Sequence, residues 1–367
     1  MHAVRALSVS RRGLIRAALA AAGATGGRWA LGRALQTTAT LFPVATVPSG
    51  ARAAGLPQRG PGRPPVPGLF DGVVGLSPWL TPTGEFYTVS KNLFDPRVTE
   101  SRWSLRVDGQ VKRPLSFSYR DLRAMAGQVE QYTTLSCISN PIGGDLIGNA
   151  LWKGIPLALL LDRAGLQDGV VDLRFEAADG YADSIPLAKA LEPTTLLALE
   201  MNGEPLPPEH GFPARLIVPG IYGMKNVKWI TRIEAVPYDY KGYWEVRGWS
   251  DTAIIQTLSR VDVPKDRGRL RQRRIEVAGI AFAGDRGVQA VQVSFDGGRS
   301  WEAAEVEPSP NAMTWVRWLK IWEPAGAGRY TLTARAYDGN GQVQEEADVP
   351  PLPEGATGYH RIQVSVE

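Results

Sequence analysis

The chain is 367 residues long, enough for two domains with sizeable cores once a processed front segment is set aside. Its 44% hydrophobic and 21% charged residues are those of an ordinary globular protein and exclude a disordered or fibrous one. The net charge of +4 sits at the front, where residues 1–70 hold nine arginines and no acid; the remainder has 32 basic against 37 acidic residues, which excludes the basic footprint of a nucleic-acid binder.

The front reads as an address. Ser10-Arg11-Arg12-Gly13-Leu14-Ile15-Arg16 fits the twin-arginine export pattern, alanine-rich Ala17–Ala24 follows, and Ala51-Arg52-Ala53 is a small-x-small cleavage site. An export signal is expected over residues 1–53, which places the mature protein in the periplasm or otherwise outside the cytoplasm. A disordered arginine-rich tail is the alternative, since Arg28 and Arg33 interrupt the apolar region. No run approaches the ~20 apolar residues of a membrane span. Residues 54–69, rich in proline and glycine, read as a linker.

Beyond the linker, Trp103, Leu105 and Val107 alternate as a half-buried strand does, ahead of Asp108-Gly109. Ser118 with Asp121 predicts a helix start leading into Leu122 and Met125. Pro156 opens a second helix through Leu157, Leu160 and Leu161, and Gly165 stops it. Strands are expected over Val171–Ala178, Leu196–Met201, Arg215–Val218 and Thr231–Val236, with a tight turn at Asn202-Gly203. This mixture predicts an α+β domain over residues 70–258.

Over residues 259–367 the character changes. Lys265–Arg274 is a charged connector, and helical periodicity then disappears. Val291, Val293 and Phe295 alternate into the turn Asp296-Gly297-Gly298, and Trp301 begins the return; Tyr330, Leu332, Ala334 and Ala336 alternate into Asp338-Gly339-Asn340-Gly341. Short strands separated by glycine turns predict an all-β, immunoglobulin-like sandwich.

One cysteine and three histidines (His2, His210, His360) exclude an intrachain disulfide, a four-cysteine zinc or iron–sulfur site and a Cys-x-x-Cys-His haem attachment. Cys137 has two readings. A free cysteine is most often a small buried hydrophobe. Here, however, it ends a strand and precedes a loop containing Pro141, Gly143 and Gly144, which presents the sulfur where backbone can approach a ligand closely. A thiolate is also the soft ligand suited to a high-valent metal that already carries sulfur donors.

Around that cysteine run further segments: Phe86–Pro96, Leu135–Asp145, Gly148–Leu157, Asp179–Leu187, Glu200–Pro207, His210–Arg215, Gly223–Trp229 and the hairpin Val293–Trp301. In this order, from about residue 76 to the C-terminus, they resemble the sulfite oxidase family of molybdopterin-dependent oxidoreductases, in its bacterial, exported branch. The resemblance implies one molybdenum per chain, held by the dithiolene of a pyranopterin and by one cysteine, which Cys137 matches. It implies cofactor contacts at His210, Arg215, Asn226, Val227 and Lys228, with Asn92 and Asp179 beside them, and a C-terminal domain through which two chains pair. Tyr181 matches a tyrosine directed at the metal's oxygen; its phenol, with a pKa near ~10, keeps a proton to donate at neutral pH.

Two departures bear on the substrate. The family pattern Cys-x-x-Asn-Arg-Arg is here Cys137-Ile138-Ser139-Asn140-Pro141-Ile142, and its Arg-Asn is here Lys91-Asn92. A pocket with Lys91 in place of several arginines lacks the planar forks that grip a sulfite dianion. The expected activity is therefore oxygen-atom transfer, sulfite-oxidase-like, on a small oxyanion or S-oxide. Lys91 would supply positive field, and a cytochrome c or membrane carrier would exchange the electrons. Reduction of an S-oxide or N-oxide, such as a methionine sulfoxide, is an alternative on the same centre, and a non-enzymatic secreted binding module is the rival from another class.

Overall fold

The computed structural model describes Pro65 and residues 68–367. The expected export signal and most of the expected linker lie outside the described residues. No helix among the described residues is long and apolar enough to cross a membrane.

The first part of the chain carries β1 (Ser104–Gly109), β2 (Leu115–Ser118), α1 (Tyr119–Arg123), β3 (Val129–Ser136), β4 (Ile147–Pro156) and α2 (Leu157–Ala164). It continues through β5 (Asp172–Ala177), β6 (Ala182–Pro186), α3 (Leu187–Ala190), β7 (Leu196–Met201), β8 (Glu204–Pro205), β9 (Arg215–Ile217) and β10 (Ile230–Val236). The local chemistry explains these bounds. Leu105 and Val107 are buried while Ser104 and Arg106 face water, the alternation of a strand with one covered face. The Ser118 hydroxyl accepts from Asp121 N (3.2 Å) and the Asp121 carboxylate accepts from Ser118 N (2.8 Å), a reciprocal cap that starts α1. Pro156 precedes α2, and Gly165 at φ +67 ends it. Asn202 and Gly203, at φ 52 and 85, turn β7 into β8.

These strands form two sheets, in the orders β2-β1-β10-β5-β6 and β3-β4-β7-β8, with β9 on β7. The α+β mixture expected from the sequence is mostly strand, since the three α-helices among the described residues are five, eight and four residues long. β4 carries no alternation because it is covered on both faces. A Cβ at Gly154 would run into the backbone of Leu197, so this strand can approach β7 only with glycine there.

The second part carries β11 (Leu258–Val263), β12 (Gly268–Leu270), β13 (Ile275–Phe282), β14 (Val288–Ser294) and β15 (Glu302–Ala303). It ends with β16 (Glu305–Val306), β17 (Val316–Trp322), β18 (Gly328–Asp338) and β19 (His360–Val366). Two sheets, β11-β13-β17-β16 and β12-β19-β18-β14-β15, share one core in which Val277 and Trp318 meet Val293, Leu332 and Ile362. The charged connector contains β12, which pairs with β19 in parallel.

The two parts are stitched along β3. Thr134 N donates to Met313 O (3.0 Å), Trp315 N donates to Thr134 Oγ1 (2.8 Å), and Trp315 Nε1 donates to Trp79 O (2.8 Å). Ile280, Phe282 and Trp315 extend the core of the first part, so apolar packing runs across the junction.

Candidate functional site

Cys137 follows β3 directly and is 9% exposed. Its backbone N donates to Leu146 O (2.9 Å), and Leu146 N donates to the Asn140 side chain (3.0 Å), closing the loop the sequence placed after the cysteine. Burial pushes the thiol pKa up, opposed by the Ser139 hydroxyl 3.0 Å from Sγ and by nearby backbone N–H groups. Ser136, adjacent to it in sequence, buries its hydroxyl without a partner.

The second part of the chain clamps this loop. Arg260 donates to Gly144 O (2.8 Å), and Val261 N donates to His360 Nδ1 (3.0 Å), fixing the imidazole against Gly143. Gly143 has φ +71, and a Cβ there would run into the His360 ring.

Arg215 is 5% exposed, stacks over Trp152 at 5.0 Å, and has no carboxylate partner among the described residues. Two of its N–H groups donate to the carbonyls of His210 (3.1 Å) and Asn226 (3.3 Å), while Nε has no partner at all. Burial pushes its pKa down to about 10. A buried guanidinium with only neutral partners is costly unless an anion joins it.

His210 is buried, with Nε2 3.0 Å from Thr83 O. A carbonyl only accepts, so Nε2 carries the proton, and burial with Arg215 pushes the imidazole pKa down. Lys228 donates to Ser90 Oγ (3.0 Å) and Glu209 O (3.0 Å). The Asn226 side chain is taken up within the loop, accepting from Val218 N (2.7 Å), and Val227 is buried with its carbonyl bonded to Leu216 N (2.8 Å). The Asn226 backbone is engaged as well, its N donating to Gly223 O (3.1 Å) and its carbonyl accepting from Arg215 (3.3 Å).

A second cluster gathers Lys91, Asn92, Asp179 and Tyr181. Lys91 Nζ donates to Asp179 O (2.9 Å), Asn92 donates to the same carbonyl (3.1 Å), and Tyr181 N donates to Asp179 Oδ1 (2.9 Å). Lys91 also lies over the Tyr243 ring at 5.6 Å.

The segment 222–228 joins the clusters. Met224 O is 2.8 Å from the Tyr181 hydroxyl, the Asn226 carbonyl holds Arg215, and a Cβ at Gly223 would meet Tyr87 Oη at 2.8 Å and Ser136 O at 3.3 Å. Tyr87 lies within electrostatic range of both Cys137 and Arg215.

Sequence reasoning passed over one group here. Lys225 is 2% exposed and donates to Asp183 Oδ1 (3.1 Å) and Glu245 Oε1 (2.6 Å). Burial opposes its charge, but the two carboxylates outweigh burial and hold its pKa above the ordinary lysine value. Asp183 and Lys225 both lie in segments that carry the family resemblance. Nothing in sequence, however, links them to each other or to Glu245, which is distant from Asp183 along the chain.

Residues 92–244 match the oxidoreductase molybdopterin binding domain family, and residues 250–367 match the Mo-co oxidoreductase dimerisation domain family. Sulfite oxidase of Gallus gallus is 33% identical over 320 residues, covering 74% of this chain and 69% of that protein. Mitochondrial sulfite oxidase of Homo sapiens is 32% identical over 339 residues, covering 78% of this chain and 62% of that protein. Among solved structures, the sulfane dehydrogenase SoxCD of Paracoccus pantotrophus superposes with a TM-score of 0.70 at 25% identity, covering 78% of this chain and 81% of that one. The residues present fit the cofactor these families share: an anionic pterin phosphate would answer Arg215, which has no carboxylate partner among the described residues and a partnerless Nε, and Cys137 would offer one soft donor. The chain belongs to the sulfite oxidase family and is a molybdopterin-dependent oxidoreductase with a molybdenum cofactor.

Proposed function

We propose that this protein carries out oxygen-atom transfer on a small sulfur–oxygen or N-oxide compound of lower charge than the sulfite dianion, at a molybdenum centre ligated by Cys137. The observation that carries the reading is the buried Arg215, hydrogen-bonded only to carbonyls, with Tyr87 in electrostatic range of both it and the lone cysteine. When bound, the cofactor supplies the two-electron change that accompanies transfer of an oxygen atom.

The chain's own residues do the rest. His210, Arg215 and Lys228, with Asn226 and Val227 beside them, hold the pterin and its phosphate, and Asn92 with Asp179 order the neighbouring wall. Tyr181, its hydroxyl held by Asp183 (2.6 Å) and Met224 O (2.8 Å), exchanges a proton with the reacting oxygen rather than holding it by a standing hydrogen bond, and Lys91 contributes positive field. The lower-charge preference rests on the cations the chain lacks: Pro141 and Ile142 follow Cys137 where the family pattern has two arginines, and Lys91, in place of a third, already donates to Asp179 O (2.9 Å).

One cysteine and three histidines leave no means for a ligand-rich electron relay in this chain, so a cytochrome c or membrane carrier exchanges the electrons. Two chains pair through residues 259–367, whose two sheets around one core suit an immunoglobulin-like sandwich. The twin-arginine motif directs the folded protein to the periplasm.

The test is elemental analysis and pterin fluorescence on protein co-expressed with the cofactor pathway, followed by turnover of sulfite against S-oxides and N-oxides. About one molybdenum per chain, with turnover lost and the metal's electronic spectrum altered in Cys137→Ser, supports the assignment. A well-folded wild type without molybdenum refutes it, and sulfite turnover well above every S-oxide and N-oxide refutes the charge preference.

A further inference from the structure

Oxygen-atom exchange with water moves protons as well as electrons: a substrate X and water give XO, two protons and two electrons, or the reverse. The electrons pass to the external carrier. The protons need a path through the wall behind Tyr181.

That wall holds a connected set of titratable groups. The Tyr181 hydroxyl lies 2.6 Å from Asp183 Oδ2 and 2.8 Å from Met224 O. A phenol has one proton, and the Met224 carbonyl can only accept. One proton shared between two acceptors makes two weak bonds; with Asp183 protonated and donating to the phenol oxygen, the phenol proton is left to Met224 O and both contacts become full hydrogen bonds. The other Asp183 oxygen accepts from Ser184 N (2.8 Å) and Lys225 Nζ (3.1 Å), as the carbonyl oxygen of an acid would.

Lys225 bridges onward to Glu245, whose Oε1 is 2.6 Å from Nζ. The side chains of Asp183, Lys225 and Glu245 are 0, 2 and 2% exposed, and Glu245 Oε2 is buried without a partner. One buried ammonium facing two carboxylates leaves an excess negative charge that a shared proton removes. Burial, with Glu245 beside it, raises the Asp183 pKa to about 7 despite Lys225, close to the pH at which a relay must both take and give. The path then opens. Asp251, 45% exposed, is 3.8 Å from Lys225 Nζ, and with Asp239 and Lys225 it lines a cleft of about 460 Å³.

We propose that Asp183 and Glu245, positioned by Lys225, form a proton relay between Tyr181 and the cleft at Asp239 and Asp251. During substrate oxidation Asp183 first gives its proton to Glu245, with which it also shares a side-chain hydrogen bond, and the ionised Asp183 then takes up the proton released at Tyr181; Glu245 gives its proton up toward the cleft. During reduction the proton travels inward. Lys225 stays charged and holds both carboxyls in place. The relay rests on the placement of Tyr181 at the metal site proposed above.

The test uses the holoenzyme, with Asp183→Asn and Glu245→Gln beside wild type and Cys137→Ser. Infrared spectroscopy at neutral pH is expected to show a protonated-carboxyl carbonyl stretch in wild type and Cys137→Ser that disappears in Asp183→Asn. Stopped-flow with a pH indicator is expected to show proton exchange slowed about 100-fold or more in Asp183→Asn and Glu245→Gln, at unchanged molybdenum content and metal spectrum, with partial recovery on adding small weak acids. The pH profile of turnover should lose its limb near neutrality in Asp183→Asn. An unchanged proton-exchange rate and pH profile in both variants, or no protonated carboxyl in wild type, overturns the relay. A wild type without molybdenum refutes the proposed function instead, and the infrared band is then still read on the folded protein.

Discussion

Replacing Arg215 by methionine separates a cofactor ligand from a structural arginine. The guanidinium is 5% exposed, and burial lowers its pKa from the ordinary arginine value to about 10. At about 1.4 kcal/mol per pH unit, this is a penalty of about 3 kcal/mol on the charged form. Neutral pH lies below both values, so the group is charged folded and unfolded, and the whole penalty falls on the folded cofactor-free protein. Two hydrogen bonds to carbonyls, each about 1.5–3 kcal/mol for a charged donor, offset it. The cofactor-free variant should therefore unfold within about 2 kcal/mol of wild type. The cofactor-bound protein has an anion to answer the charge, and the variant loses that gain. Cofactor affinity should fall about 100-fold, and the difference in melting temperature between loaded and cofactor-free protein should narrow on the order of 6 °C. Calorimetry on protein from cofactor-competent and cofactor-deficient hosts measures both terms. If the cofactor-free variant loses as much stability as the loaded one and the difference between them is unchanged, Arg215 is structural and the reasoning fails.

Gly143→Ala places a Cβ against the His360 ring at a left-handed φ; we expect a loss of about 1–2 kcal/mol or more in urea unfolding, with reduced molybdenum retention. Arg317 is 4% exposed, forks onto Glu307 and keeps a second partner in Asp71 (2.8 Å), so Glu307→Ala should cost less than the ~3–5 kcal/mol of a stranded buried cation in chemical denaturation, and that full loss should appear only when Asp71→Ala is added. The raised Asp183 pKa has a signed consequence for the cofactor-free protein. Below the ordinary carboxylate range both states are protonated; as pH rises toward neutrality the unfolded state ionises first, so this group's contribution to stability falls. Denaturation midpoints measured from acid to neutral pH should show that decline in wild type and lose it in Asp183→Asn. His210→Gln, which can keep a donor to Thr83 O, should retain more cofactor than His210→Ala when pterin content is assayed.

Much of the local structure was legible because one neighbour or one face decides it. The Ser118–Asp121 cap, the Pro156 start and Gly165 stop of α2, and the alternation of β1 are written within a few residues. β4, β17 and β19 were not read from the sequence for different reasons. β4 and most of β17 are covered on both faces, so period-two alternation vanishes. β19 alternates, but its Arg361 and Gln363 face water in a polar-looking terminal stretch. At the proposed site, short motifs single out Cys137, His210, Arg215 and Lys228 as candidates. The Asp183–Lys225–Glu245 group stayed hidden because its members come from one strand and two short turns, and only the folded chain shows that two carboxylates answer one lysine.

The contacts of Arg260 and His360 with Gly144 and Gly143 mean that the boundary between the two family segments is not a mechanical boundary. The sulfur is anchored from one side by the strand that carries it and from the other by β11 and β19. Displacing the C-terminal sheets, whether by truncation, by a graft from a relative or by pairing with another chain, pulls on the loop next to Cys137 before it disturbs either core. With Cys137 as the proposed ligand, the metal's coordination would be a joint property of both segments, and a chimera that keeps every proposed pterin contact but exchanges residues 250–367 would inherit a loosened sulfur.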